Sequence, residues 1–292
     1  MPSLKEIKGR IASVDSTRKI TSAMKMVASA KLRKAQSHVE QFLPYQKQLM
    51  GILGQYLSAD VEEFFSPLAE NREIKRVAIV VVSSNSSFCG AFNSNIIHLA
   101  YDTIQKYRAL KYEIEVYPIG KKVEEAIAKY IVSTEKKGSY ISLMDKPNYE
   151  GARDIADALV NDFLSKRIDK VELIYNHFKS MGVQIPSDDL FLPIVLPKSE
   201  SQMTTTSTDY IVEPDRKTLL DTLLPKSLRA KIFAVILDSA AAEQAARTVA
   251  MQVATDNAND LLDELTLQYN KQRQQAITNE LLDIVGGSEA LK

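Results

Sequence analysis

The chain is poor in the residues that would make it a disulfide protein, a zinc protein or a membrane span. Its 292 residues include one cysteine, Cys89, so no internal disulfide can form, and a reducing compartment fits. The histidines, His38, His98 and His177, are scattered, and no Cys/His cluster has the spacing of a structural zinc site. No apolar run is long enough to cross a bilayer; the longest, such as Val77–Val82, have the length of a strand. Met1-Pro2-Ser3 leads straight into alternating charged residues, so no signal peptide is visible. Helix breakers are scarce at both ends. Between Pro2 and Leu57 only Pro44 interrupts, with Gly9, Gly51 and Gly54 as weak points, and between Asp215 and Val285 only Pro225 does.

Those two segments read as helices of about 80 and 100 Å at 1.5 Å per residue. The residues between them make a compact domain only about 30–40 Å across. Helices so long cannot be buried by so small a domain, so they must pair with each other or with a partner. Apolar residues of the first segment fall at Leu4, Ile7, Ile11, Val14, Thr21, Met24 and Ala28. In the last segment the series is Met251, Thr255, Ala258, Leu262, Leu265, Tyr269, Gln272 and Ala276. That alternating four–three spacing is the seam of a left-handed coiled coil. Small residues replace much of the usual Leu and Ile, above all in Ala240–Ala258, which permits close approach but buries little area per turn. Helix propensity alone would also explain the alanines, but not how so long a helix stays covered.

The middle alternates strand and helix. Arg76–Ser84 reads as a buried strand, Ala91–Arg108 as a helix, Tyr112–Ile119 as a strand and Lys121–Tyr130 as a helix. Ser139–Met144 reads as a short strand, Tyr149–Ser165 as an amphipathic helix, and Val171–Lys179 as a strand opening a hairpin through Gly182 to Leu196. Ser199–Thr208 is a polar loop. The expectation is an α/β protein: a Rossmann-like domain over 74–198, flanked by shaft helices over 1–57 and 209–287 that pair as a long antiparallel left-handed coiled coil.

The net charge is zero, but its distribution is uneven. Arg18, Lys19, Lys25, Lys31, Arg33 and Lys34 form a stretch without acids, while Asp256, Asp260, Asp263, Glu264, Glu280 and Asp283 dominate the last segment. Opposite signs favour pairing of the two helices, and solvated faces are the plainer alternative. The basic stretch could also meet an acidic protein surface or nucleic acid. It lacks interleaved aromatics and any known binding module, which favours protein. Ser83–Asn95 follows the first strand, where doubly wound folds bind phosphate, yet it matches neither GxGxxG nor a P-loop. Its Ser and Asn residues serve equally well as turn and cap formers. No base is positioned beside Cys89 and no carboxylates are paired, so no catalytic, cofactor or metal residues are assigned.

Three strings carry a family resemblance: Ile11–Gln36 (IASVDSTRKITSAMKMVASAKLRKAQ), the Cys-Gly pair in Ser83–Asn93, and Ser239–Gly286 with AARTVAMQVATDNANDLLDELTLQYNKQRQQAIT. Together they closely resemble the γ subunit of F-type ATP synthases along the whole chain. The resemblance implies a central rotor shaft, turned by a proton- or sodium-driven c-ring inside three α and three β subunits, with the ε subunit beside its globular part. It implies that ATP is made on β and that this chain is no enzyme and carries no cofactor. By family match, Met24 and Lys25 lie where the shaft passes an acidic loop of β, with Arg247 in the same neighbourhood. Arg273, Gln274 and Thr278 match polar contacts higher in the ring. The usual charged residue and glycine before Cys89 are replaced by Asn85-Ser86-Ser87-Phe88, and Gly286-Gly287 suggests an earlier fraying of the helix end. The resemblance also implies a peripheral position on the cytoplasmic side of a bacterial inner membrane. The alternative functions are a coiled-coil scaffold of another assembly, expected as a homodimer, and a small Rossmann-like enzyme with helical arms.

Overall fold

The computed structural model describes residues 3–58, 66–130, 135–136, 140–194 and 215–290. In chain order these form α1 (Leu4–Ser58), a short 3-10 turn (Pro67–Ala69), β1 (Arg76–Val82), α2 (Phe92–Ala109), β2 (Glu113–Ile119), α3 (Lys121–Tyr130) and β3 (Glu135–Lys136). Then come α4 (Ile141–Asp145), α5 (Tyr149–Leu164), β4 (Lys170–Ser180), β5 (Val183–Leu192) and α6 (Arg216–Ala290). The fold is α/β, as expected from the alternation. The polar loop at Ser199–Thr208 lies outside the described residues.

Both long helices start on side-chain caps. Ser3 Oγ accepts from the Glu6 amide at 3.3 Å while Glu6 Oε2 accepts from the Ser3 amide at 2.8 Å, a reciprocal capping box. Asp215 Oδ1 accepts from the Thr218 amide at 2.8 Å at the head of α6. Neither Pro44 nor Pro225 ends its helix. The expected early fraying at Gly286-Gly287 does not occur, since α6 runs on to Ala290. A helical glycine costs only about 1 kcal/mol, too little to stop a helix by itself.

The chain divides into two units, residues 1–29 with 247–292, and residues 30–246. In the first, α1 and α6 pair. Thr255 Oγ1 donates to Thr21 Oγ1 at 2.9 Å, and Arg18 reaches Asn259 Oδ1 at 3.5 Å. A lower number on one helix meets a higher one on the other, so the pair is antiparallel. Every expected seam position is buried or half-buried, with Ile7, Ala28, Met251, Ala258 and Leu265 the most covered. Two of the basic residues, Arg18 and Lys19, do not use their charge across the seam to an acid of α6 among the described residues. Arg18 and Lys19 both pair with Asp15 on their own helix, and the bonds from Arg18 to Asn259 and from Thr255 to Thr21 across the seam are neutral at one end or both.

The second unit holds a five-stranded sheet in the order β3-β2-β1-β4-β5, parallel except for β5. On β1, Ala78, Val80 and Val82 face a core shared with α5, α6 and Leu49 and Leu53 of α1. Val77, Ile79 and Val81 face a second core with Ile96, Ile104 of α2 and Val123, Ile127 of α3. Both faces are covered, which is why β1 is apolar without alternation. Ser139–Met144 is corrected: its described part is a helical turn, α4, and the edge strand is β3. Adjacent Leu143 and Met144 are both buried, which a strand with alternating faces cannot arrange on one side.

Candidate functional site

The order of the sheet reverses beside β1, so its carboxyl end is where a doubly wound fold would open a ligand crevice. Here that end is closed by the chain's own groups. Ser83 Oγ accepts from the Val123 amide at 2.9 Å, and the Ser83 amide donates to Ile119 O at 2.8 Å. Asn93 Oδ1 accepts from the Ser84 amide at 3.1 Å, while Asn93 Nδ2 donates to Ser84 Oγ at 2.8 Å. Asn85 bridges two loops, donating to Ile141 O at 2.8 Å and accepting from the Lys121 amide at 3.0 Å. The Ser and Asn residues of the loop thus act as turn formers. Cys89 is buried, with Phe92, against Ala242 and Ala246 of α6. The alanines of this stretch are therefore a docking face for the α/β body: Ala241 and Ala245 also pack on Leu32 of α1. The seam reading of Ala240–Ala258 is corrected for its first turns.

Polar side chains tie α6 to the body on both sides of this face. Arg229 Nε reaches Asp157 Oδ1 of α5 at 2.6 Å. Lys231 Nζ donates to Leu190 O of β5 at 2.7 Å, and burial pulls its ammonium below the ordinary lysine range. Asp238 accepts from the Phe178 amide at 3.0 Å and meets His177 Nδ1 at 2.6 Å. Burial pushes the Asp238 carboxyl up, and the bonds from His177 and the Phe178 amide oppose that rise. A cavity of about 470 Å³ lies beside these groups, lined among others by Val39 and Phe42 of α1, Tyr175 and His177 of β4, and Lys231 and Asp238. Sequence reasoning missed this set, because its bonded partners are 41 to 72 residues apart and follow no local motif.

The residues matched to partner contacts all fall in the unit of 1–29 and 247–292. Met24 and Lys25 are half-buried, and Arg247 is 8% exposed and engaged with a neighbour, so a solvated position does not describe it. Arg273, Gln274 and Thr278 are exposed, and Thr278 Oγ1 donates only to Gln274 O, at 2.9 Å. Lys25, Lys31, Arg33 and Lys34 have no ion-pair partner among the described residues. Sequence reasoning also overlooked an apolar surface on the last turns of α6, where Leu281, Leu282, Ile284 and Val285 are exposed. Single-residue helical spacing in this stretch gives no stripe, which hid it from pattern reading.

An α/β body whose strand-end crevice is filled by the chain's own side chains, together with a pair of long antiparallel helices, is the class of protein that the fold defines. The family model described as ATP synthase matches residues 3–291. The ATP synthase gamma chain of Bacteroides fragilis is 56% identical, over 99% of this chain and 100% of its own. That of Azobacteroides pseudotrichonymphae is 53% identical, over 100% of both. The fold resembles a chain of the Euglena gracilis mitochondrial ATP synthase, solved in its OSCP/F1/c-ring assembly, with TM-score 0.66 and 16% identity over 99% and 94%. A second likeness, TM-score 0.55 and 21% identity over 80% and 99%, is to a central stalk/c-ring chain of the Tetrahymena thermophila enzyme. The chain belongs to the ATP synthase gamma chain family. Among the described residues, no helix is long and apolar enough to cross a membrane.

Proposed function

We propose that this chain is the turning shaft of an ion-driven bacterial ATP synthase, carrying rotation from a c-ring to catalytic β subunits. The observation that carries the reading is the exposed apolar end of α6, with Leu282 at 63% and Ile284 at 68% exposure, on a stretch in which every residue from 277 to 286 with a described side chain is exposed. Apolar surface on a helix end left uncovered on every side calls for an enclosing partner. Three α and three β subunits around the helices 1–57 and 209–287 are that partner, and the body over 74–198 meets the ε subunit and the c-ring. Lys25, Arg247, Arg273, Gln274 and Thr278 supply polar contacts to the ring, and Met24 packs beside them. The chain itself performs no chemistry, since ATP is made on β. It sits at the cytoplasmic side of the inner membrane, held there through the complex.

The test is co-expression with the α and β subunits of the same source. A complex with one copy of this chain per three of each, whose body rotates in steps when ATP is added, supports the reading. A chain bound to a single β without a ring, or a stable homodimer with no effect on ATP hydrolysis, replaces the shaft with a scaffold.

A further inference from the structure

We propose that Lys231 is a covalent modification site, whose amine takes an apolar acyl group from a thioester that enters the cavity between α1, α6 and the β4–β5 hairpin. Every residue involved belongs to the unit of 30–246. A lysine attacks only as the neutral amine, and an exposed one holds its proton until about pH 10.4. Burial favours the neutral form, which is how lysines in apolar pockets become nucleophiles. Lys231 is half-buried, and burial lowers its range while the charge of Asp189 works against that. The two carboxylates that line the same cavity on β5 and α6 are engaged by other partners. Asp189 Oδ2 accepts from the Tyr175 hydroxyl at 2.9 Å, and Asp238 accepts from the Phe178 amide at 3.0 Å and meets His177 Nδ1 at 2.6 Å. Lys231 Nζ itself donates to a neutral acceptor, Leu190 O, at 2.7 Å. An amine keeps that bond as well as an ammonium does, so losing a proton leaves the nitrogen held and frees its lone pair.

The cavity selects the donor. Its volume of about 470 Å³ is that of a small-molecule pocket. Phe42, Leu43 and Val235 are among its walls, so an alkyl chain gains by leaving water there. Glu40, Asp189 and Asp238 also line it, against the single ammonium of Lys231 and the imidazole of His177, and they disfavour an anionic donor such as an acyl phosphate. A neutral acyl chain on a thioester suits both features. The ammonium first gives one proton to water. Its nitrogen then bonds to the carbonyl carbon, the carbon–sulfur bond breaks, and the second proton goes to the departing thiolate. The products are an amide and a thiol, and the amide N–H can still donate to Leu190 O.

The experiment treats the full chain with the butyryl thioester of N-acetylcysteamine, a neutral donor, and follows acylation of each lysine by peptide mass spectrometry. Near neutral pH, Lys231 is expected to react at least about five-fold faster than Lys75 and Lys271, which are exposed. The preference should shrink toward about pH 10, where exposed amines become neutral too. Concentrated urea should abolish it, and acetyl phosphate, a dianion, should reverse the order. Ala234→Leu narrows the cavity and should slow Lys231 while leaving Lys75 and Lys271 unchanged. The comparison of lysines within the wild-type chain stands even where that variant fails to fold. Lys231 reacting no faster than Lys75 in the folded chain overturns the proposal, as does a preference that survives urea. Acetyl phosphate labelling Lys231 first overturns the choice of donor.

Discussion

Gly120 shows how much one residue can decide in this fold. Its φ is +103°, and a Cβ there would lie 2.1 Å from Ser83 O at the end of β1. Gly120→Ala is expected to lower stability by more than about 3 kcal/mol, whereas Gly182→Ala, with open space around it, should change little. Urea midpoints of the two variants measure the contrast. Buried phenols give a second prediction. Tyr107 is raised to about 12 by burial and its bond to Glu172, and Tyr117 and Tyr175 are raised further by burial and by Asp162 and Asp189. An unfolded tyrosine ionises near pH 10, so these groups stabilise the fold fully below that value and lose the contribution as pH climbs through 12. Ultraviolet titration should show a late ionisation step that coincides with unfolding; a single step near pH 10 would contradict this. The glycine's role was not legible in the sequence, because a lone Gly after a strand does not reveal that a carbonyl lies behind it. The Asp238–His177 pair was equally hidden, since 61 residues separate its members.

At the scale of elements, legibility followed periodicity. The alternating four–three series from Met251 to Ala276 coincides with the covered side of α6, because a seam repeats along one helix and needs no knowledge of the partner. Ala258→Phe is expected to overpack that seam and cost roughly 1–3 kcal/mol locally. Hydrogen exchange of the amides around Thr21 and Thr255 should quicken; unchanged protection would mean the register is misplaced. Ala240–Ala246 was legible as helix but not as a socket, since alanine carries high helix propensity whether or not it is buried. Short elements were least legible. The two residues of β3 and the single turn of α4 hold too few side chains to display a period, and alternating Ile141 and Leu143 mimicked a strand.

For the molecule as a whole, the apolar end of α6 separates the behaviour of the free chain from that of the complex. Leu281→Ser with Leu282→Ser should make the free chain more soluble and weaken its retention in a ring of α and β subunits. Sedimentation of the free variant and gel filtration of the co-expressed complex read both effects; gain in solubility with undiminished retention would remove that surface from the interface. The fold class and the family were readable because long ordered motifs run the length of the chain. The closure of the crevice was not, because its lid comes from residues some 150 positions later than the loop it covers. That lid has a temporal consequence. Chains leave the ribosome from the amino end, and the core under the sheet draws on Leu220, Leu224, Leu228, Ile232 and Ile236 as well as on Leu49 and Leu53. Through most of synthesis one face of the sheet therefore waits uncovered, and the body cannot complete itself until the segment that follows it has emerged.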